Sequence, residues 1–126
     1  MKAMILAAGF GKRLLPLTEN LPKPLLKVGD QTLIERNINY LIKSGFSEIV
    51  INASHHGDLL IEHVNNIFPG HNILFSIEEK PLGTGGGILN ALEIVGDETF
   101  LVMNADIFHN IDITHLPKDI EAAHLI

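Results

Sequence analysis

The segment that most limits how this chain can fold is the passage from the apolar run Met4-Ile5-Leu6 into Ala7-Ala8-Gly9-Phe10-Gly11-Lys12-Arg13. Apolar residues that run on without alternation read as a strand buried on both faces. Glycines directly after such a strand let backbone N–H groups approach an anion closely, and basic side chains supply the countercharge. Two common phosphate patterns fail on detail. A Walker loop needs Ser or Thr after Gly-Lys, and Gly11-Lys12 is followed by Arg13. A dinucleotide fingerprint needs a third glycine opening a helix, where this chain has Leu14, and Pro16, Pro22 and Pro24 forbid a long helix there. The remaining reading is a long, basic, proline-stiffened loop over residues 8–24.

The rest of the chain alternates. Residues 2–7 read as the first strand, 48–52 as the second, 72–77 as the third and 99–103 as the fourth. Leu25 to Val28 reads as a short extended piece closed by a turn at Gly29-Asp30. Helices are predicted over roughly 31–44, 58–68 and 87–95. The first is capped by Thr32 or Asp30, turns Leu33, Ile34, Ile38, Leu41 and Ile42 to one face, and stops at Gly45. The second has Leu59-Leu60, His63-Val64 and Ile67 facing inward, and a glycine loop at 83–87 opens the third. This order calls for an α/β domain: a Rossmann-like, doubly wound, mostly parallel sheet with helices on both faces. Ligands of such sheets lie beyond the carboxyl ends of the strands. The loop at 8–13, the stretch Glu78 to Gly87, and Asn104-Ala105-Asp106 all fall at that edge.

Charge is distributed to match. Residues 1–43 hold seven basic residues against three acidic ones, whereas residues 44–126 hold two against twelve, within a total of −6. An acidic chain argues against general nucleic-acid binding. Basic groups gathered around one glycine loop point instead to a small polyanion such as a nucleoside triphosphate. The 126 residues, 46% hydrophobic with mean hydropathy +0.25, are enough for one domain with a real core. No apolar run approaches a membrane span, and the absence of cysteine removes disulfides and thiolate metal sites, which fits a cytoplasmic protein.

Leu6-Ala7-Ala8-Gly9-x-Gly11-x-Arg13, then Pro16-Leu17-Thr18 and Pro22-Lys23-Pro24-Leu25, resembles the signature of the sugar-1-phosphate nucleotidyltransferases. The resemblance continues through Pro81-Leu82-Gly83-Thr84-Gly85-Gly86-Gly87 and Val102-Met103-Asn104-Ala105-Asp106. Within that family the chain most resembles N-acetylmuramate-1-phosphate uridylyltransferases and mannose-1-phosphate guanylyltransferase-like proteins. The resemblance implies transfer of a nucleoside monophosphate from a nucleoside triphosphate to a sugar 1-phosphate, with Mg²⁺ as cofactor. UTP with N-acetylmuramate 1-phosphate ranks ahead of GTP with mannose 1-phosphate. It also implies that residues 1–126 are the nucleotide-binding portion of one domain. A second metal-binding aspartate and most of the sugar pocket would then lie past residue 126, and the apolar run 121–126 would be a strand cut short.

By the same resemblance, Leu6, Ala7, Ala8 and Gly9 present backbone to the nucleoside, and Gly11 and Lys12 lie along the β- and γ-phosphates. Arg13 grips the triphosphate with its planar fork. Lys23, fixed between two prolines, is aimed at the α-phosphate or the sugar phosphate. Gly83, Thr84 and Gly85 pack against base and ribose. Either Glu78 or Glu79 hydrogen-bonds base or sugar, or both are solvated. Asp106 is the Mg²⁺ ligand. Ala105 replaces the family's usual glycine and would be strained if its backbone needed positive φ. Glu35-Arg36 reads as helix-surface charge, and the histidines, including the adjacent pair His55-His56, show no ligand cluster at metal spacing. From a different class, a nucleotide-binding module without turnover is the alternative. A dinucleotide-dependent oxidoreductase is excluded by the missing glycine and the prolines.

Overall fold

The computed structural model describes residues 1–117 and 119–122. Four strands form one parallel sheet: β1 (Lys2–Leu6), β4 (Glu48–Ala53), β5 (Asn72–Ile77) and β6 (Phe100–Asn104), in the order β5-β4-β1-β6. A small antiparallel hairpin, β2 (Lys27–Val28) with β3 (Gln31–Thr32), stands where the short extended piece and its turn were predicted. Successive strands step away from β1 on one side, to β4 and then β5, before β6 joins on the other side. The strand order therefore reverses between β1 and β6, the position where such sheets open a crevice at their carboxyl edge.

Both faces of the sheet are covered. Ala3 and Ile5 of β1 and Ile49 and Ile51 of β4 pack with Ile34, Ile38 and Leu41 of α1 (Leu33–Lys43) and with Leu60 and Val64 of α2 (Gly57–Ile67). Met4 and Val50, pointing the other way, pack with Ala91 and Val95 of α3 (Gly83–Val95). This two-sided burial is why β1 and β4 show no polar alternation after their opening Lys2 and Glu48, with Asn52 the one polar residue that follows. Each Val, Leu, Ile or Met among them removed from water is worth about 1.5–3 kcal/mol.

α1 starts in a capping box: Glu35 N–H donates to Thr32 Oγ1 (3.2 Å) and Thr32 N–H donates to the Glu35 carboxylate (2.7 Å). Two expectations need correction here. Ile67 is 49% exposed at the end of α2, and the ring of Phe68, just past the helix, fills the inward position instead. Glu35 and Arg36 are more than surface charge. Glu35 also meets His63 Nε2 at 2.9 Å, and the Arg36 guanidinium lies 3.5 Å over the Phe108 ring centroid.

The larger correction concerns α3. It begins at Gly83, so Gly85, Gly86 and Gly87 lie inside its first turns rather than in a preceding loop. Low glycine propensity argues against helix there, and a tertiary contact overrides it, as described below. Of the strand-like run anticipated at 121–126, residues 123–126 lie outside the described residues. Among the described residues no helix is long and apolar enough to cross a membrane.

Candidate active site

At the carboxyl edge of β1 the chain leaves the sheet as Ala7-Ala8, both buried, and becomes exposed at Gly9 and Phe10. Gly11 turns the loop with φ 63°, a left-handed conformation that glycine adopts without strain. The turn is pinned from behind: the buried Thr18 hydroxyl donates to the Gly11 carbonyl at 2.8 Å. A Cβ at position 11 would meet Thr18 Cγ2 at 2.9 Å and Lys23 Cβ at 3.2 Å, so the loop folds tightly back on the proline segment. Lys12 and Arg13 follow in a short 3₁₀ turn, exposed and with no ion-pair partner among the described residues.

Lys23 opens a second 3₁₀ turn between the buried Pro22 and Pro24. Its ammonium forms an ion pair with the Asp106 carboxylate, which comes from the turn after β6. That turn is anchored twice. Ala105 N–H donates to the Leu6 carbonyl at 3.0 Å, and the Ala105 carbonyl accepts from the buried Asn37 of α1 at 2.7 Å. Ala105 is buried and does not have positive φ; among the described residues only His56 is a non-glycine residue that does. The strain anticipated for alanine at this position is therefore absent.

These segments enclose a cleft of about 480 Å³. Its wall takes in Leu6 through Arg13, Lys23, Gly83, Thr84 and Asp106, so every anticipated site residue except Gly85 is brought together. Gly85 is exposed on α3, away from the cleft wall.

Two further wall residues, Asn52 and Glu78, carry a hydrogen-bond chain across the cleft floor. Ala7 N–H donates to Asn52 Oδ1 (2.6 Å), Asn52 Nδ2 donates to Glu78 Oε1 (2.6 Å), and Leu82 N–H donates to Glu78 Oε2 (2.9 Å). Asn52 and Glu78 are 3% and 4% exposed. Of the two adjacent carboxylates, then, Glu79 is solvated and Glu78 is fully engaged by protein donors. The chain also accounts for one of the helical glycines: a Cβ on Gly87 would stand 2.7 Å from Asn52 Nδ2 and 2.8 Å from Glu78 Oε1, whereas one on Gly86 would meet only Leu82 and one on Gly85 nothing within 4 Å.

His55 and His56 play no comparable part. The His55 ring leans on Phe10, with centroids 5.3 Å apart, and His56 Nε2 lies 3.2 Å from the Glu19 carbonyl. Among the described residues no group of three or more His, Asp or Glu could hold a metal ion.

A family model described as nucleotidyl transferase matches residues 2–124. The chain belongs to the nucleotidyl transferase family. It is 43% identical over 134 aligned residues to the N-acetylmuramate alpha-1-phosphate uridylyltransferase of Neisseria meningitidis, covering 99% of this chain and 58% of that protein. It is 37% identical over 116 residues to the D-glycero-alpha-D-manno-heptose 1-phosphate guanylyltransferase of Campylobacter jejuni, covering 92% of this chain and 52% of that one. A crystal structure of HddC from Yersinia pseudotuberculosis, complexed with GMP-PN, aligns with a TM-score of 0.74 at 34% identity, over 83% of this chain and 47% of that one. The chain thus spans about half the length of the relatives it matches.

Family membership sorts the wall residues by how visible they were. The glycine loop, Arg13, Lys23 and Asp106 sit in local motifs. Asn52 and Glu78 do not, nor does Asn37 behind the wall, and all three are buried polar residues. An asparagine closing the apolar run Ile49-Val50-Ile51 was the available signal.

Proposed function

We propose that this chain is the nucleotide-binding portion of an enzyme that transfers a nucleoside monophosphate from a nucleoside triphosphate to a sugar 1-phosphate. The observation that carries this reading is the meeting of two glycine-rich segments, three cationic side chains and the Asp106 carboxylate, beside the braced Glu78, in a single cleft at the strand-order reversal. A phosphate oxygen of the sugar 1-phosphate attacks the α-phosphorus. The bond from that phosphorus to the bridging oxygen breaks, and pyrophosphate leaves. The reaction needs no covalent enzyme intermediate, so the protein's work is alignment and charge neutralisation.

In this reading the backbone of Leu6 to Gly9, facing Gly83 and Thr84, holds the nucleoside. Gly11 and Lys12 follow the β- and γ-phosphates, and Arg13 grips oxygens of the triphosphate in a bidentate manner. Lys23 leaves Asp106 for the α-phosphoryl or sugar phosphate oxygens as they arrive. The Asp106 carboxylate, already seated against a cation, is a hard oxygen ligand of the kind Mg²⁺ accepts alongside phosphates and retained waters. When bound there, Mg²⁺ would neutralise charge on the phosphoryl oxygens.

Uridylyl transfer to N-acetylmuramate 1-phosphate is the preferred assignment, supported by the Neisseria relative. Guanylyl transfer is the second, supported by the Campylobacter relative. The test is pyrophosphate release by the intact protein with UTP, GTP, CTP and dTTP, each paired with N-acetylmuramate, mannose and glucose 1-phosphates, with Mg²⁺ and then with EDTA. One productive pair that falls silent in EDTA is expected. Nucleotide binding with no release for any pair would favour the module without turnover.

A further inference from the structure

The hydrogen-bond chain on the cleft floor has a polarity that its two ends impose. Both ends are backbone donors held by secondary structure: Ala7 N–H where β1 ends, and Leu82 N–H where α3 begins. Between two donors, the pair of side chains must accept at both outer ends and still match in the middle. An amide beside a carboxylate does this, because the amide accepts on one side and donates on the other while the carboxylate only accepts. Two amides would leave two donors face to face, and two carboxylates would leave two acceptors. Asn52 with Glu78 satisfies the count, and Gly87 leaves the space they occupy.

We infer that Asn52 and Glu78 are positioning residues that set the width of the nucleotide cleft, tying the β1 loop to the entry of α3. This rests on reading the cleft as a nucleotide site. The tie spans the two glycine segments that would hold the nucleoside from opposite sides. Glu78 N–H also donates to the Ala53 carbonyl at 2.8 Å, which fixes the carboxylate's own backbone to β4. With both carboxylate oxygens engaged and Glu78 buried, its role is to hold the walls, and discrimination among bases falls to the backbone around it.

The count yields a sharp experiment. Asn52→Asp sets two carboxylates face to face, and Glu78→Gln sets two donors face to face, each with no change in side-chain size. The double variant, Asn52→Asp with Glu78→Gln, restores every bond with the charge moved by one residue. The intact protein and the three variants would be compared for UTP and GTP affinity, for kcat against KM, and for thermal midpoint. Each single variant should weaken binding of every nucleotide by a similar factor, about tenfold or more, as an unmatched buried polar group does. kcat should change far less, and the double variant should bind within about threefold of wild type.

Single variants that stay folded and bind nucleotide as wild type would overturn the inference while leaving the cleft's assignment intact. So would a change of base preference in Glu78→Gln that the double variant fails to reverse, which would mark Glu78 as a direct reader of the base. If the single variants are too unstable to assay, the double variant decides by itself: wild-type binding supports the brace and lost binding overturns it. A wild-type protein that binds no nucleotide would remove the cleft assignment and the brace together.

Discussion

Two glycines, one from each of the segments that line the cleft, serve opposite ends. Around the β1 loop, Gly9 has nothing within 4 Å of where a Cβ would sit, and its freedom leaves space on the side open to a ligand. In α3, Gly87 is buried, and its missing Cβ makes room for two side chains of the protein itself. One glycine admits something from outside and the other accommodates a fixed internal structure. A glycine-rich motif therefore does not by itself mean a ligand loop. What lies within 4 Å of the absent Cβ distinguishes the two.

The widest separation between the two segments should come from charge. Arg13 belongs to the open side, exposed and free of ion pairs among the described residues. Arg13→Ala should cost about a hundredfold or more in kcat/KM, the scale of a lost donor to developing phosphoryl charge, with little change in thermal midpoint. Steady-state kinetics and a melt on the same sample would check both halves. An unchanged rate would detach the loop from catalysis.

Gly87→Ala should show the reverse profile. Alanine gains about 1 kcal/mol of helix propensity over glycine, but the added methyl meets two atoms held by the brace. Overpacking of this kind costs about 1–3 kcal/mol, and an unpaired buried group adds to it. The net expectation is a loss of about 1–2 kcal/mol in denaturant unfolding, with nucleotide binding weakened as well. Gly9→Ala should leave stability within about 0.5 kcal/mol of wild type, since no contact opposes it, while lowering nucleotide affinity measured by calorimetry. Equal stability losses at positions 9 and 87 would erase the distinction between them.

The smallest effect belongs to the amino edge of the sheet, remote from both segments, where Lys2 Nζ meets Glu48 Oε1 at 2.8 Å. The hydrogen bond from Lys2, aided by its charge and by Asn72 Nδ2, holds the Glu48 carboxyl below its ordinary value of 4.5 against slight desolvation. A lowered folded value means the unfolded chain binds the proton more readily. The pair therefore stabilises the fold above pH 4.5, and that contribution fades as the pH falls through the folded value. Lys2→Met should remove this acid dependence from a melting-temperature profile, with an effect well below that of Gly87→Ala because the pair is at the surface. Nucleotide affinity should not move.

β1 and β4 were legible because burial on both faces leaves a plain mark, an apolar run of strand length. β5 and β6 are less buried but still mainly apolar and bounded by polar or turn residues. β5 was read to the residue and the other main-sheet strands within one residue at either end. The start of α3 was misread because local propensity at Gly85-Gly86-Gly87 speaks for a loop, and the reason for helix there sits in β4 and after β5. Asn52 and Glu78 were illegible as a pair for a related cause. They are 26 positions apart, and complementarity between an amide and a carboxylate has no local pattern. Asn37 is similar, since its partner is a backbone carbonyl 68 residues away. Spacing reveals motifs that act within one loop; it does not reveal bonds that link one loop to another.

The ion pair between Lys23 and Asp106 bears on how the idle protein lives in a medium full of small anions. An uncompensated ammonium in the wall of the cleft would draw inorganic phosphate and sulfate. Here a carboxylate already holds that ammonium, so a simple anion gains little at Lys23, and among the described residues the unpaired cations of the wall are Lys12 and Arg13. A ligand that brings its own cation alongside several phosphates can exchange partners with both residues at once. Under the proposed reading, the resting pair would make this one corner of the cleft answer to a cation and phosphates arriving together more than to either alone.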